Sequence, residues 1–309
     1  MTEHDEEQAT AEARGPVWLN ASLRSLLWVV LSTVFMTAMV VTVKHLGSRV
    51  GIFEIGFARS LVGLLLTLPF VLGKRETSMW SRRPVFHLFR GASSSGAQLC
   101  GFYAVIHLPL ATAIAISFAG PLFVLVMAAL FLGEVVRGRR WSATAVGFVG
   151  VLIMLRPTGA VEMASMIALA GAFFFAVSIV MIKRLLEDDN PAVVVFYYGM
   201  IASVITVGPA LYTWITPTWE EAGLLVLTGA FGVAAQGSYI RGLAIADASA
   251  LAPYGFLRLL FAAVAGFVFF SEIPDVWTIV GATVIVGSTL YIARREAVLG
   301  KSKPAIPAA

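Results

Sequence analysis

Charge and cysteine are scarce in this chain. Of its 309 residues only 13% are charged and one, Cys100, is a cysteine, whereas 59% are hydrophobic. Soluble domains carry roughly 25% charged and 45–50% apolar residues, and a compact fold of this length lacks the interior volume to bury so many apolar side chains. A lone cysteine can neither form an internal disulfide nor by itself build a structural metal site. The composition therefore indicates an integral membrane protein.

Motifs for enzymatic chemistry are also missing. The chain has no Walker A sequence, no His-Glu-x-x-His and no Gly-x-Ser-x-Gly, so nothing points to ATP hydrolysis, a zinc protease or a serine hydrolase. We predict no catalytic residue, no cofactor, no metal site and no nucleic-acid partner. The carboxylates nearest the membrane segments all lie at the ends of apolar stretches, namely Glu54, Glu134, Glu162, Asp247 and Glu272. Proton-driven transporters commonly relay protons through Asp or Glu side chains inside the membrane. Because the sequence places no carboxylate at mid-depth, facilitated flux or exchange is favoured over proton symport.

Ten apolar stretches are candidates for membrane-spanning helices, because a hydrocarbon core of roughly 30 Å needs about 20 apolar residues of helix. The third is the most polar, since it includes Ser93–Ser95 and Gln98. The apolar runs are continuous rather than alternating, which favours an all-α polytopic membrane protein. We expect short disordered tails at 1–24 and 296–309. The ten spans are 25–46, 52–72, 87–107, 110–132, 141–156, 161–183, 192–214, 221–241, 247–270 and 274–293.

The distribution of basic residues predicts the orientation. If the N-terminus is cytoplasmic, 16 of the 22 Lys and Arg residues lie on the cytoplasmic side, three on the opposite side and three within spans. Such an excess marks the cytoplasmic face. We therefore predict that both termini are cytoplasmic, and the brief loops fit a bacterial inner membrane. The expected partners are the lipid bilayer and a small-molecule substrate. The oligomeric state is not predicted.

The two halves of the chain resemble each other. In each half an aromatic residue and a run of small residues lead into a span that closes at a glutamate, followed by Trp and Gly. The copies are 136–138 residues apart, at Tyr103, Glu134, Trp141 and Gly150 and at Tyr239, Glu272, Trp277 and Gly287. Five spans is an odd number, so a repeat of 25–156 by 157–295 would enter the membrane inverted. Inverted repeats are typical of alternating-access transporters, which hold substrate near the midplane.

These motifs resemble the EamA-type members of the drug/metabolite transporter superfamily, and the chain is similar to bacterial exporters of amino acids, aromatic ones included. In the second half Ser271 stands where the first half has Gly133, and no proline matches Pro121. The resemblance implies ten helices in two inverted five-helix repeats, with a cavity enclosed by helices 1, 3, 4, 6, 8 and 9. The residues that carry it are Tyr103-Ala104, His107–Ala111, Pro121, Gly133-Glu134, Gly147–Gly150, Tyr239, Ala246–Ser249 and Glu272.

Candidate substrate-binding residues are the polar and aromatic side chains of the helices that the resemblance places around this cavity. Arg258, about eleven residues into the ninth span, has two interpretations: a cation that pairs with a carboxylate or phosphate of the substrate, or a structural arginine bonded to helix carbonyls. Arg59 is interpreted as a structural brace. The cavity candidates are Arg258, Thr37, Gln98, Tyr103, Ser117, Phe118, Phe174, Ser178, Gln236, Tyr239 and Tyr254.

Three prolines interrupt the interiors of spans and are hinge candidates, because proline removes a helix hydrogen bond. They are Pro121, Pro209 and Pro253. The leading hypothesis is a secondary transporter that exports amino acids or related amphipathic compounds by alternating access. The alternative is an uptake carrier or exchanger for an adenosyl or nucleotide-like metabolite. An intramembrane enzyme and a passive channel are less favoured.

Overall fold

Every regular element that the computed structural model describes is a helix. The described residues are 17–72, 81, 83–131, 138–155, 163–185, 187–189, 191–245 and 257–301. Continuous apolar sequence favours helices in a bilayer, because a helix satisfies its own backbone hydrogen bonds where water is absent. The helices are α1 (Val17–Leu46), α2 (Ile52–Leu72), α3 (Pro84–His107), α4 (Leu110–Ser117), α5 (Gly120–Phe131), α6 (Gly138–Leu155), α7 (Met163–Leu185), α8 (Pro191–Tyr212), α9 (Trp219–Ile245), α10 (Leu257–Phe270) and α11 (Val276–Lys301).

Six segments in the described part of the chain are long and apolar enough to cross a membrane. They are Arg24–Leu46, Ile52–Pro69, Leu110–Phe131, Met163–Leu185, Val193–Tyr212 and Trp219–Tyr239. Large apolar side chains also cover much of the outer surface, and Phe267, Val268 and Phe269 of α10 are each more than 60% exposed. Apolar patches of this kind are unfavourable in water and are covered by lipid in a membrane. The count of ten spans stays a prediction.

Helix extends into both segments that were expected to be tails. α1 begins at Val17, before residue 24, and α11 continues to Lys301, beyond residue 296.

The stretch predicted as one span over 110–132 is divided into two helices. α4 ends at Ser117 and α5 begins at Gly120, with a turn at Phe118 and Ala119. Pro121 has no N–H with which to continue the helix ladder. The turn instead carries tighter bonds, from the N–H of Phe118 to the carbonyl of Ala115 (3.1 Å) and from that of Ala119 to Ile116 (2.9 Å). Pro121 is therefore the second residue of a new helix.

The most extensive helix contacts join the two halves of the chain. α1 packs along α9, α3 along α7, α6 along α11 and α2 along α8. α1 and α9 are the first and eighth predicted spans, and α7 and α3 are the sixth and third. Exchanging the halves, which shifts each span by five, therefore turns the pair α1–α9 into the pair α7–α3. The fifth–tenth and second–seventh pairings map onto themselves. Two copies related by a two-fold axis produce this pattern. The inversion itself stays a prediction.

Small residues allow two of these pairs to approach closely. A Cβ atom added to Gly150 of α6 would lie 2.9 Å from the carbonyl oxygen of Gly281 on α11. A Cβ added to Gly171 of α7 would lie 2.9 Å from Cβ of Cys100 on α3. Both distances are too short for a side chain, so glycine is required for these backbones to meet. Close contacts of this kind stabilise helix pairs in a bilayer, where the hydrophobic effect does not favour helix association because lipid tails are as apolar as the side chains.

The end of α10 has an unusual backbone. Ser271 lies in the left-handed region with a φ of 55°, while its N–H donates to the carbonyl of Phe267 (3.1 Å) and that of Glu272 donates to Gly266 (3.0 Å). Glycine is the residue that normally ends a helix in this conformation. The serine at this position therefore carries backbone strain that a glycine would not.

Candidate substrate-binding site

A polar cluster lies between α2, α3 and α8 and centres on the guanidinium of Arg59. Nη1 of Arg59 donates to Oε1 of Gln98 and to the hydroxyl of Tyr198 (3.1 Å), and the Tyr198 hydroxyl in turn donates to the same Gln98 oxygen (2.6 Å). Nε of Arg59 faces the sulfur of Met39 on α1 at 3.5 Å. At a rise of 1.5 Å per residue, Gln98 is about 21 Å from the start of α3 and about 14 Å from its end. The cluster is therefore near the middle of the bundle.

The orientation of Gln98 follows from its other bonds. Its Nε2 donates to the carbonyl of Gly56 (3.2 Å) and to the hydroxyl of Ser60 (3.4 Å), both on α2. With the amide nitrogen held in this way, Oε1 points to Arg59 and Tyr198 as a neutral acceptor. Gln98 therefore occupies the position at which a carboxylate would ordinarily pair with an arginine.

One edge of the Arg59 guanidinium has no hydrogen-bond partner among the described residues. That edge, Nη2, lies 3.5 Å from where a Cβ of Gly232 on α9 would be, so the glycine allows α9 to lie close beside the guanidinium. Within the described ranges Arg59 also forms no ion pair. The side chain is partly exposed. It therefore presents free donors toward the space between α1, α2 and α9.

Arg90 also contacts Tyr198, but its guanidinium bonds to other groups than that of Arg59 does. Its Nη1 donates to the carbonyl of Val194 on α8 (2.7 Å), and its guanidinium lies 4.8 Å from the centre of the Tyr198 ring. Arg90 is 7% exposed, and its Nε has no partner in the described part of the chain. A carbonyl bond and a cation–π contact explain why this arginine joins α3 to α8.

An ion pair closes the bundle at the end where α1 and α10 finish. Lys44 pairs with Glu272 and also donates to the carbonyl of Leu108 (2.6 Å), while Oε2 of Glu272 accepts the N–H of Leu110 (2.7 Å). Glu272 thus caps the first turn of α4, where backbone N–H groups have no helical partner. A cleft of about 240 Å³ opens beside the pair, lined by Lys44, His45, Gly47, Ser48, Ile106 and Phe270.

A second charged cluster joins the halves at the opposite end. Asp189 accepts hydrogen bonds from the hydroxyl of Ser81 (2.6 Å) and from Nε2 of buried His87 (2.9 Å), and the His87 ring stacks on Tyr197 with centres 4.3 Å apart. Arg83 pairs with Asp188 at 2.6 Å. The described structure therefore links the first half to the second at both ends of the bundle.

The predicted residues of the third, fourth and sixth predicted spans are only partly brought together. Ser178 bonds Ser94 across α3 and α7 (2.5 Å), and Phe174 packs where a Cβ of Gly96 would be, at 3.2 Å. The Tyr103 ring stacks on His107 with centres 4.0 Å apart. The hydroxyl of Ser117 bonds within its own helix, to Ile114 (2.6 Å). Phe118 occupies the turn between α4 and α5.

No hydrogen bond joins the other predicted residues of the described ranges to the Arg59 cluster. The hydroxyl of Thr37 bonds within α1 to Thr33 (2.9 Å), and Gln236 and Tyr239 are exposed on α9. Arg258 is in the first turn of α10, and its buried Nε has no hydrogen-bond partner in the described ranges. Pro209 is inside α8. Tyr254 and Pro253 lie outside the described residues.

Sequence reasoning missed Arg59 and Tyr198 as members of one polar cluster. Arg59 was interpreted as a structural brace, and Tyr198 was not singled out. A signal was present in the sequence, because the two residues are 139 positions apart, close to the 136–138 residues that separate the repeated motifs. Positions equivalent in two halves meet where a two-fold axis passes between them.

Comparison with known proteins gives a consistent result for both halves. The EamA-like transporter family matches the chain twice, over residues 23–156 and 163–294. An S-adenosylmethionine uptake transporter of Rickettsia prowazekii (strain Madrid E) is 32% identical over 279 residues, which cover 90% of this chain and 95% of the relative.

Two further relatives differ in cargo and direction. A riboflavin transporter of Brucella anthropi is 29% identical, with 83% of this chain and 93% of the relative covered. A pseudopaline exporter of Pseudomonas aeruginosa is also 29% identical, with 87% and 96% covered. The relatives therefore share transport of a small molecule, while they differ in substrate and direction.

Proposed function

Because the chain belongs to the EamA-like transporter family and is a multi-pass membrane transporter of small metabolites, we propose that it works by alternating access between two inverted halves. The observation that carries this mechanism is the helix pairing, in which α1 with α9 matches α7 with α3 when the halves are exchanged. The double match of the family also supports a repeat. Rocking of one half against the other would expose the mid-depth space beside Arg59 to each side in turn.

The proposed cargo is an amphipathic metabolite that contains an amino-acid group, with uptake of S-adenosylmethionine as the first candidate. Support comes from the Rickettsia relative, at 32% identity over nearly its whole length. The polar cluster fits such a cargo, since it offers hydrogen-bonding groups beside apolar and aromatic surface. We further propose that both termini are cytoplasmic and that the membrane is the bacterial inner membrane, on the bias of Lys and Arg.

A second candidate function is export of amino acids, aromatic ones included. The observation in its favour is that a relative of almost equal coverage is named as an exporter. The same fold therefore serves both directions among the relatives. Direction in a carrier follows from gradients and coupling, so the two candidates differ in cargo and drive rather than in architecture.

Counterflow in proteoliposomes tests the proposal. Purified protein is reconstituted with unlabelled compound inside, and uptake of labelled S-adenosylmethionine, phenylalanine, methionine or riboflavin is followed with and without a pH gradient. We expect saturable S-adenosylmethionine uptake that internal S-adenosylmethionine accelerates and a pH gradient leaves unchanged. Empty liposomes are the control. Uptake that rises linearly with concentration, without acceleration from the inside, contradicts a carrier. Saturable flux of phenylalanine alone would favour the second candidate.

A further inference from the structure

We infer that Arg59 is the receptor for the carboxylate of the transported metabolite, an inference that rests on the proposed function. Gln98 and Tyr198 hold its Nη1, while its Nη2, beside Gly232, has no partner in the described ranges, and the side chain is partly exposed. Arg59 thus combines three features in the described structure: mid-depth position, hydrogen bonds to neutral groups alone, and a free edge of the guanidinium.

Three other arginines of the described chain have partners where they stand, whereas Arg258, in the first turn of α10, keeps a buried Nε without a partner in the described ranges. Arg49 pairs with Glu221 at 2.9 Å, and Arg83 pairs with Asp188 at 2.6 Å. Both lie at ends of the bundle. Arg90 is buried against the carbonyl of Val194 and the Tyr198 ring. A cation deep in a membrane protein is costly and tends to pair with a partner or serve a substrate pathway. Arg59 has no anionic partner in the described ranges, so a bound anion would complete an ion pair with it.

The open edge suits a carboxylate. Arginine binds carboxylates through parallel N–H groups on two different nitrogens. Here these are Nη2 and Nε, whose present contact is the weakly accepting sulfur of Met39 at 3.5 Å, while Nη1 stays fixed by Gln98. Tyr198 adds a hydroxyl 3.1 Å from Nη1. The site carries a single positive charge with neutral neighbours, which balances a carboxylate, whereas a phosphate monoester would leave negative charge unpaired in the membrane interior.

Gln98 makes the inference testable by an isosteric change. Gln98→Glu places a carboxylate at hydrogen-bond distance from Arg59, so the protein would supply internally the anion that the cargo should bring. The apparent affinity for a carboxylate cargo should then fall about 10- to 100-fold, the range for a hydrogen bond to a charged group. Gln98→Met is the matched control, because it removes the same bonds without neutralising Arg59. We expect it to keep the preference for a carboxylate.

The first experiment reports the charge at Arg59 without any cargo. Gly232→Cys in a Cys100→Ser background places a thiol beside the guanidinium, and its labelling by sulfonatoethyl and trimethylammonioethyl methanethiosulfonate is compared. The quantity compared is the labelling rate of the anionic reagent divided by that of the cationic reagent. We expect this ratio to be at least about ten times higher with Arg59 and Gln98 intact than after Arg59→Gln or Gln98→Glu. Arg59→Lys should retain the preference. No labelling by either reagent, or a ratio that ignores both changes, would overturn the inference.

The second experiment compares cargo with and without the carboxylate. S-adenosylmethionine and its decarboxylated analogue compete for labelled S-adenosylmethionine uptake, or phenylalanine and phenylalaninamide do so if phenylalanine is the transported compound. We expect the carboxylate form to compete about 10- to 100-fold better in the wild type, and equally in Arg59→Gln and Gln98→Glu. Equal competition in the wild type refutes the role of Arg59. If no compound is transported the proposed function fails, while the labelling ratio still decides whether Arg59 is an open cation.

Discussion

Loss of the Lys44–Glu272 pair should destabilise the protein at the end of the bundle where α1, α4 and α10 meet. Glu272→Gln removes the charge that pairs with Lys44 while keeping one oxygen for the N–H of Leu110, now 2.7 Å away. Lys44 then retains its bond to the carbonyl of Leu108 (2.6 Å). The perturbation therefore isolates the ionic part of the contact.

The size of the effect follows from burial. The Lys44 and Glu272 side chains are 11% and 17% exposed, and removing one partner of a buried pair costs about 3–5 kcal/mol. Lys44 keeps one acceptor and borders an open cleft of about 240 Å³, so water can solvate part of the released charge. We therefore expect a destabilisation of about 2–3 kcal/mol, at or just below the lower limit of that range.

A double-mutant cycle measures this coupling. Lys44→Met, Glu272→Gln and the double variant are unfolded in mixed dodecylmaltoside and SDS micelles, with tryptophan fluorescence as the readout. We expect a coupling free energy above about 1 kcal/mol. Arg49→Gln is the matched control at the same end, because Arg49 is 50% exposed in its pair with Glu221, and ion pairs of solvent-exposed side chains contribute little. A coupling near zero for Lys44 and Glu272 would refute the reasoning, whatever the single variants cost.

Three further predictions concern the backbone and the topology. Ser271→Gly should stabilise the protein by about 1 kcal/mol, because φ of 55° favours glycine; a loss of stability in the same unfolding assay would show that the Ser271 side chain outweighs the strain. Gly150→Ala should destabilise by about 1–3 kcal/mol, since the new Cβ would lie 2.9 Å from the Gly281 carbonyl. Gly287→Ala, with nothing within 4 Å of the new Cβ, should not. A single cysteine at Ser48 and another at Glu187, each in a Cys100→Ser background, should react with a membrane-impermeant maleimide from opposite sides of the membrane; reaction of both from one side would contradict the predicted topology.

Much of the helical architecture follows from local sequence. Apolar runs of about 20 residues predicted α2, α7, α8 and α9 within about four residues of their ends, whereas α1 begins at Val17, well before the predicted start at residue 25. Pro121 was expected to interrupt this span, but the division of the stretch into two helices joined by a turn at Phe118 was not predicted, although Gly120 and Pro121 mark a helix start as well as a break. Apolar composition alone does not distinguish one kinked span from two helices joined by a turn.

The candidate site was less predictable from the same sequence. Gln98 was singled out as a polar residue deep in a span, yet its partners Arg59 and Tyr198 lie 39 and 100 residues away. Thr37 and Ser117, chosen on the same grounds, use their hydroxyls on the carbonyls of their own helices. Local bonding of this kind competes with long-range contacts, and the sequence does not show which will form.

The sequence by itself determined that this protein is a polytopic membrane protein, because hydrophobic length is a local property of the chain, and the spacing of its motifs predicts a repeat. Only the tertiary structure decided that Arg59, Gln98 and Tyr198 meet beside Gly232, and that Lys44 and Glu272 join the halves at one end. These contacts depend on how helices rotate and approach one another, which packing of small residues controls. The charge of Arg59 was therefore visible in the sequence, whereas its open edge was not.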